Sequence, residues 1–262
     1  MKVPLHVVKA RRERLAELIT QHGYLPVHQL CERLKVSEAT ARRDLSALVT
    51  EKRIKRTYGG AVSESDDRFP SFTERRDHAR VAKAQVAAAA LALIKPEQTI
   101  FLDAGTTMHA LAEAFRERPV VPLTIVTSNI PVAELLSGIP AVDVFLLAGQ
   151  LLHRQAVLLG ETARRSLEFW RFDAAFLSAE GMDLLGLWNS REAIVEQQKA
   201  VIRRSRRSVF CLDGSKLKRT APHFLIPWKK LDALLTDVPR KKLEVAGIRL
   251  RANQYLPIKN KK

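Results

Sequence analysis

The chain has 262 residues, 46% of them hydrophobic, and its 44 Lys and Arg against 28 Asp and Glu give a formal net charge of +16. That is enough apolar sequence for one or two packed domains, while the longest apolar run, residues 86–94, is too short to span a bilayer. The amino-terminal stretch lacks the apolar core of a secretion signal, and Cys31 and Cys211 lie far apart inside apolar patterns, so a cytoplasmic protein with buried free thiols and no membrane partner is expected.

The charge is unevenly spread. Residues 1–62 hold thirteen basic against six acidic side chains and residues 240–262 eight against one, while residues 63–239 are nearly balanced. A polyanion held by the amino-terminal segment is the natural inference, with nucleic acid ahead of membrane.

In chain order, Val8, Leu15, Leu18 and Ile19 recur at helical spacing, and Gly23 supplies a stop. A short helix carrying Leu30 and Leu34 starts near Val27. Ser37 then has the hydroxyl to cap a helix whose Ala41, Leu45 and Leu48 fall on one face. Thr40, Arg42, Arg43 and Ser46 must therefore point away from that face. This pattern predicts a helix-turn-helix whose second helix enters the major groove. The following "RIKRTYGGAV" predicts a β-ribbon, the wing of a winged helix, with Lys52, Arg53, Lys55 and Arg56 laid along phosphates.

Residues 63–72, polar with a proline, read as an exposed linker, and a helix is predicted over 73–94. Beyond it, short apolar runs at 99–103, 123–127, 142–149, 172–179, 208–213 and 233–237 alternate with helical segments. That alternation predicts a mostly parallel sheet covered on both faces, which binds ligands at the carboxyl ends of its strands. At those ends stand small and polar residues: Asp103, Gly105, Thr106 and Thr107; Thr127, Ser128 and Asn129; Gly149 and Gln150; Gly181; Asp213 and Lys216. Gly105 is expected to allow a sharp turn into a helix whose free N–H groups face an anion. An oxyanion-lined pocket is the reading of these ends as a set. Residues 251–262 read as a basic tail, solvated and disordered from Asn253 onward.

The run "SEATARRDLSALVTEKRIKRTYGGAV" resembles the DNA-binding segment of the DeoR family of bacterial transcription regulators, matching at Ser37, Thr40, Arg42, Arg43, Asp44, Leu45, Gly59, Gly60 and Ala61. The resemblance implies that Thr40 and the Arg pair touch operator DNA, and that Asp44 braces the domain against a nearby cation. It continues through the larger domain, where Asp103, Gly105, Thr106 and Thr107, then Thr127 and Asn129, then Asp213, Ser215 and Lys216 match the family's segments. It implies a small winged helix-turn-helix (1–62), a linker (63–72) and an α/β sensor (73–250) similar to sugar-phosphate isomerase and CoA-transferase-like folds. The sensor would bind a phosphorylated sugar or related metabolite, with Lys216 suited to its phosphate. Two departures stand out: Gln150 replaces a glycine, and Glu196 and Lys199 only approximate an acidic-basic helix.

The expected protein is a repressor, dimeric or tetrameric because paired half-sites need paired heads. The alternative is an isomerase-like enzyme built on Asp103, Glu180, Asp213 and Lys216. Nucleotide-binding and nucleophile-elbow motifs are absent, and the seven histidines show no metal-ligand spacing, so neither cofactor nor metal is expected.

Overall fold

Helical and strand periodicities resolve, in a computed structural model, into two compact units: residues 1–69 with 221–224, and residues 70–220 with 225–262. The structure describes residues 4–22, 24–51, 53–57, 60–63 and 71–258. Lys52, Gly59, most of the proposed linker and the last four residues of the tail lie outside them.

The first unit runs α1 (Leu5–His22), β1 (Tyr24–Pro26), α2 (Val27–Leu34), α3 (Glu38–Thr50), β2 (Ile54–Thr57) and β3 (Gly60–Ser63). Leu15, Ile19, Leu30, Ala41, Leu45, Leu48 and Ile54 close one apolar core in which each is at most 1% exposed. Burial of each large side chain stabilises the unit by roughly 1.5–3 kcal/mol. The α2–α3 turn is set by Lys35 in the left-handed region (φ 50) and by Ser37, whose Oγ accepts from Thr40 N at 3.3 Å. The ribbon β2–β3 is joined by β1 into a sheet of order β1-β3-β2. Gly60 is needed there because a Cβ would overlap the Tyr24 ring and the Leu25 carbonyl.

From Phe72 on, the chain runs α4 (Phe72–Asp77), α5 (Arg80–Leu91), β4 (Thr99–Leu102), α6 (Thr106–Glu117), β5 (Leu123–Thr127), α7 (Ile130–Leu136), β6 (Val142–Leu146), β7 (Gln150–Leu152), β8 (Val157–Leu159), α8 (Glu161–Ser166), β9 (Ala174–Leu177), β10 (Gly181–Met182), β11 (Gly186–Asn189), α9 (Glu192–Arg203), β12 (Ser208–Leu212), β13 (His223–Pro227), β14 (Ala233–Thr236), α10 (Arg240–Val245) and β15 (Tyr255–Pro257), all in the second unit but for the first two residues of β13. Seven strands form a parallel sheet of order β15-β14-β12-β9-β4-β5-β6. Alternate residues of one strand enter different cores, Phe101 one and Ile100 and Leu102 the other. Burial on both faces is why the inner strands read as apolar runs, whereas β6, at the sheet's edge, carries an exposed Asp143. From β4 the chain builds outward to β6 on one side and to β15 on the other, so the order reverses between β4 and β9. In open α/β sheets a reversal of this kind marks the crevice, outside the carboxyl ends of the strands, where ligands bind.

Three expectations need correction. The helix foreseen over 73–94 is two helices, parted at Ala79 in the left-handed region (φ 53). The linker gives way to structure at Ser71, which forms a capping box with Glu74, and Phe72 is buried. The tail is not solvated throughout. Tyr255–Pro257 is the sheet's edge strand, paired with β14, and buried Gln254 donates to the Trp228 and Leu231 carbonyls at 2.9 and 2.6 Å.

Candidate functional site

In the first unit, α3 turns Arg42 and Arg43 outward while Ala41, Asp44 and Leu45 face inward. Ser37 Oγ lies 3.0 Å from Thr40 Oγ1 at the helix start. Arg42 pairs with Glu38 one turn back, an exposed contact of the kind that contributes little. Arg43 has no ion pair among the described residues. Asp44 is 1% exposed and accepts from Arg11 Nε at 2.6 Å and Arg12 Nε at 3.1 Å. The brace therefore ties the middle of α3 to α1. The Arg53 guanidinium makes two 2.8 Å bonds to the Glu13 carboxylate of α1, an exposed pair like that of Arg42. Lys55 and Arg56 stand on β2.

In the second unit, the crevice gathers most of the strand-end residues. Asp103, just after β4, is 3% exposed, and its Oδ2 accepts from Ser178 N at 2.9 Å and Gln198 Nε2 at 2.6 Å. Burial raises its carboxyl, against the pull of these donors. Gly105 has an ordinary extended conformation (φ −88, ψ 158), which corrects the turn-based explanation. Glycine is required because a Cβ would overlap the Ser178 side chain. Thr106 and Thr107 form the buried first turn of α6. Thr127 Oγ1 donates to the Leu102 carbonyl at 2.7 Å and accepts from Asn129 N at 3.0 Å, while Asn129 Oδ1 caps α7. These two side chains hold strand ends in place.

The cations come from three directions. Lys216 Nζ lies 3.1 Å from Glu180 Oε2, and Arg75 Nη1, from α4, lies 3.4 Å from Glu180 Oε1. Buried Lys83, from α5, donates to the Arg75 carbonyl and, at 2.6 Å, to that of His78. Burial pushes the Lys83 ammonium down to about 8, although Asp213 opposes it. Burial also works to raise the Glu180 carboxyl, but Lys216 and Arg75 outweigh it and hold the group at about 2. Thr106 Oγ1 reaches the Arg75 carbonyl at 3.5 Å, so α4 touches the first turn of α6. Asp213 is buried, with Oδ1 accepting from Ser215 N and Oδ2 unpartnered among the described residues.

Gly149 and Gln150 do not join this set: Gln150 is exposed on β7, and no hydrogen bond links it to the crevice among the described residues. Gly181 packs against the Arg219 backbone. Glu196 and Lys199 are exposed on α9. The buried polar residues of that helix are Gln197, bonded to Ser128 Oγ at 2.7 Å, and Gln198. Sequence reasoning missed Arg75, Lys83, Gln197 and Gln198 and gave Glu180 only an enzymatic role. The glutamines carried a signal, because they fall on the apolar face of α9 with Ile194 and Val201.

Among the described residues no helix is long and apolar enough to cross a membrane, and no group of three or more His, Cys, Asp or Glu could hold a metal ion.

Residues 11–67 match the family model of the DeoR-like helix-turn-helix domain, and residues 78–238 match that of the DeoR C terminal sensor domain. The glycerol-3-phosphate regulon repressor of Escherichia coli (strain K12) is 31% identical over 230 residues, covering 87% of this chain and 90% of that one. The uncharacterized HTH-type transcriptional regulator YulB of Bacillus subtilis (strain 168) is 30% identical over 233 residues, covering 88% and 89%. Ribose 5 phosphate isomerase A from Neisseria gonorrhoeae, a solved structure, is 17% identical with a TM-score of 0.37, covering 52% of each chain, a likeness too distant to bear on function. With a DNA-binding head and a sensor domain both matched, and named relatives that regulate transcription, the chain belongs to the DeoR family of helix-turn-helix transcriptional regulators.

Proposed function

We propose that this regulator is a cytoplasmic repressor whose grip on operator DNA is controlled by a phosphorylated sugar or related metabolite seated in the crevice between β4 and β9. The observation that carries the reading is the clustering of Arg75, Lys83 and Lys216 about Glu180, with the Arg75 carbonyl accepting from Thr106 on the first turn of α6. Three cations gathered near the start of a helix suit a phosphate. The relative named for the glycerol-3-phosphate regulon agrees with that ligand class. The head reads DNA through Thr40, Arg42 and Arg43, with Ser37 setting the helix start, and the protein acts as a homodimer or homotetramer on paired half-sites.

Isomerase chemistry is the weaker reading. A general base must be free to take a proton. Asp103 is engaged by Ser178 and Gln198, and Glu180, held at about 2 between two cations, is a poor proton acceptor.

Operator affinity measured with and without candidate phosphosugars tests the proposal. A ligand held only by the folded state adds RT ln(1 + [L]/Kd), about 2.7 kcal/mol at a hundredfold excess. The cognate phosphosugar should raise the melting temperature and change operator affinity, its dephosphorylated analogue should do neither, and Thr106→Val or Lys216→Ala should abolish both effects. Equal ligand responses in wild type and both variants would place the effector elsewhere; turnover of the ligand would favour the enzyme.

A further inference from the structure

Glu180 holds the position in which an anionic ligand would meet the crevice's cations. Its two oxygens are divided, one to Lys216, in the turn after β12, and one to Arg75 on α4. The carboxylate does not use all that is offered. Arg75 Nε and Nη2 are buried with no partner among the described residues, and a guanidinium fork left half-occupied is matched by a group with more acceptor oxygens. Lys83 is buried too, and the oxygens it reaches are the neutral carbonyls of Arg75 and His78.

Charge decides what can happen next. Arg75, Lys216 and Arg219 act on Glu180, and Lys83 is coupled to both Glu180 and Asp213, so cations outnumber the two carboxylates. A phosphate monoester dianion seeking Arg75 and Lys216 would meet the Glu180 carboxylate on the same two donors, and like charges a few ångströms apart repel. With Glu180 swung out, both donors pass to the dianion. Glu180 keeps a route outward, since its side chain is 24% exposed whereas Asp213 is fully buried. A monocarboxylate would return to Arg75 and Lys216 only what Glu180 already supplies, so it has nothing to gain by exchange.

We propose that Glu180 is a resident anion in the effector's phosphate seat, displaced by a phosphate monoester dianion and not by a monocarboxylate. The inference rests on the phosphate reading of this crevice and adds its selectivity. Arg75 belongs to α4, whose carbonyl end is held by Lys83 and Thr106 Oγ1. Exchange at Glu180 therefore acts directly on the element that opens the sensor unit.

Inorganic phosphate and acetate, titrated calorimetrically into the full-length protein, provide the test. Glu180→Gln removes the charge at constant size. Glu180→Asp keeps the charge but is too short to bridge both cations. Displacement predicts that both variants bind phosphate at least about tenfold more tightly than wild type, as expected when a like charge a few ångströms away is removed or drawn off. Acetate should bind Glu180→Gln and not wild type. Tighter binding by Glu180→Gln with Glu180→Asp unchanged would mean simple repulsion and overturn the proposal, as would weaker binding by both variants. Lys216→Ala separates the two levels. If it leaves phosphate binding unchanged, or wild type and both Glu180 variants bind none, the phosphate reading fails together with the proposal. If it abolishes binding while neither Glu180 variant gains affinity, the seat stands and only the resident-anion role falls.

Discussion

Asp44 lies in the middle of the recognition helix yet is 1% exposed, so its charge serves the fold rather than DNA. Replacing it with Ala strands Arg11 and Arg12 without their shared acceptor, and a loss of about 2–3 kcal/mol is expected. The measurement is the urea midpoint, with the denaturant slope unchanged. Lys83 makes the opposite kind of prediction. Its folded-state value lies at about 8, below the ordinary 10.5. Between those pH values the unfolded chain still holds a proton that the folded chain has released, so stability rises with pH across that window. The melting temperature of wild type relative to Lys83→Met should climb from pH 8 to pH 10.5. Parallel profiles would show that the amine titrates like a surface lysine.

At the scale of elements, Gln254 joins the carboxyl-terminal strand to the rest of the sheet. Gln254→Leu leaves two buried carbonyls without their donor, and a cost of about 2–3 kcal/mol follows. A surface glutamine would cost almost nothing, so thermal denaturation distinguishes a strand from a tail. Ala79 offers a gain: Ala79→Gly relieves a left-handed alanine and should stabilise by about 0.5–1 kcal/mol after the entropy of glycine is deducted. These two places also show where sequence stopped being legible. Six of the seven strands of the large sheet were visible, five because burial on both faces leaves apolar runs and β6 because apolar residues flank a lone Asp143. The seventh has three residues, ends on Pro257 and lies among cations, so its pairing depends on β14 rather than on its own pattern. The break between α4 and α5 carries neither Gly nor Pro. There a lysine from the next helix takes the carbonyls of Arg75 and His78, a tertiary cause that local propensity does not encode. In the site, Asp103, Thr106, Thr107 and Lys216 were legible as polar strand ends. Arg75 was not, because it arrives on a helix far away in sequence.

For the whole molecule, the charge of +16 overstates the number of cations available to DNA. Arg53 is occupied by Glu13, whereas Arg43 is uncommitted among the described residues. If Arg43 meets a phosphate, Arg43→Ala should lower the slope of log K against log salt by about 0.9. Arg53→Gln should lower it less, because Glu13 competes with phosphate for that guanidinium. Fluorescence anisotropy on operator and random duplexes over a salt series measures both. The placement of β15 has a further consequence, in time. Strands of the first unit pair within residues 24–63, whereas β4 must wait for β9 and β14 for β15. Local pairings form sooner than distant ones, and domains fold from the amino terminus as they emerge. Nascent chains halted near residue 150 should therefore carry a protease-resistant head and no ligand response. The ribosome delivers a DNA-binding unit before it delivers the unit that controls it.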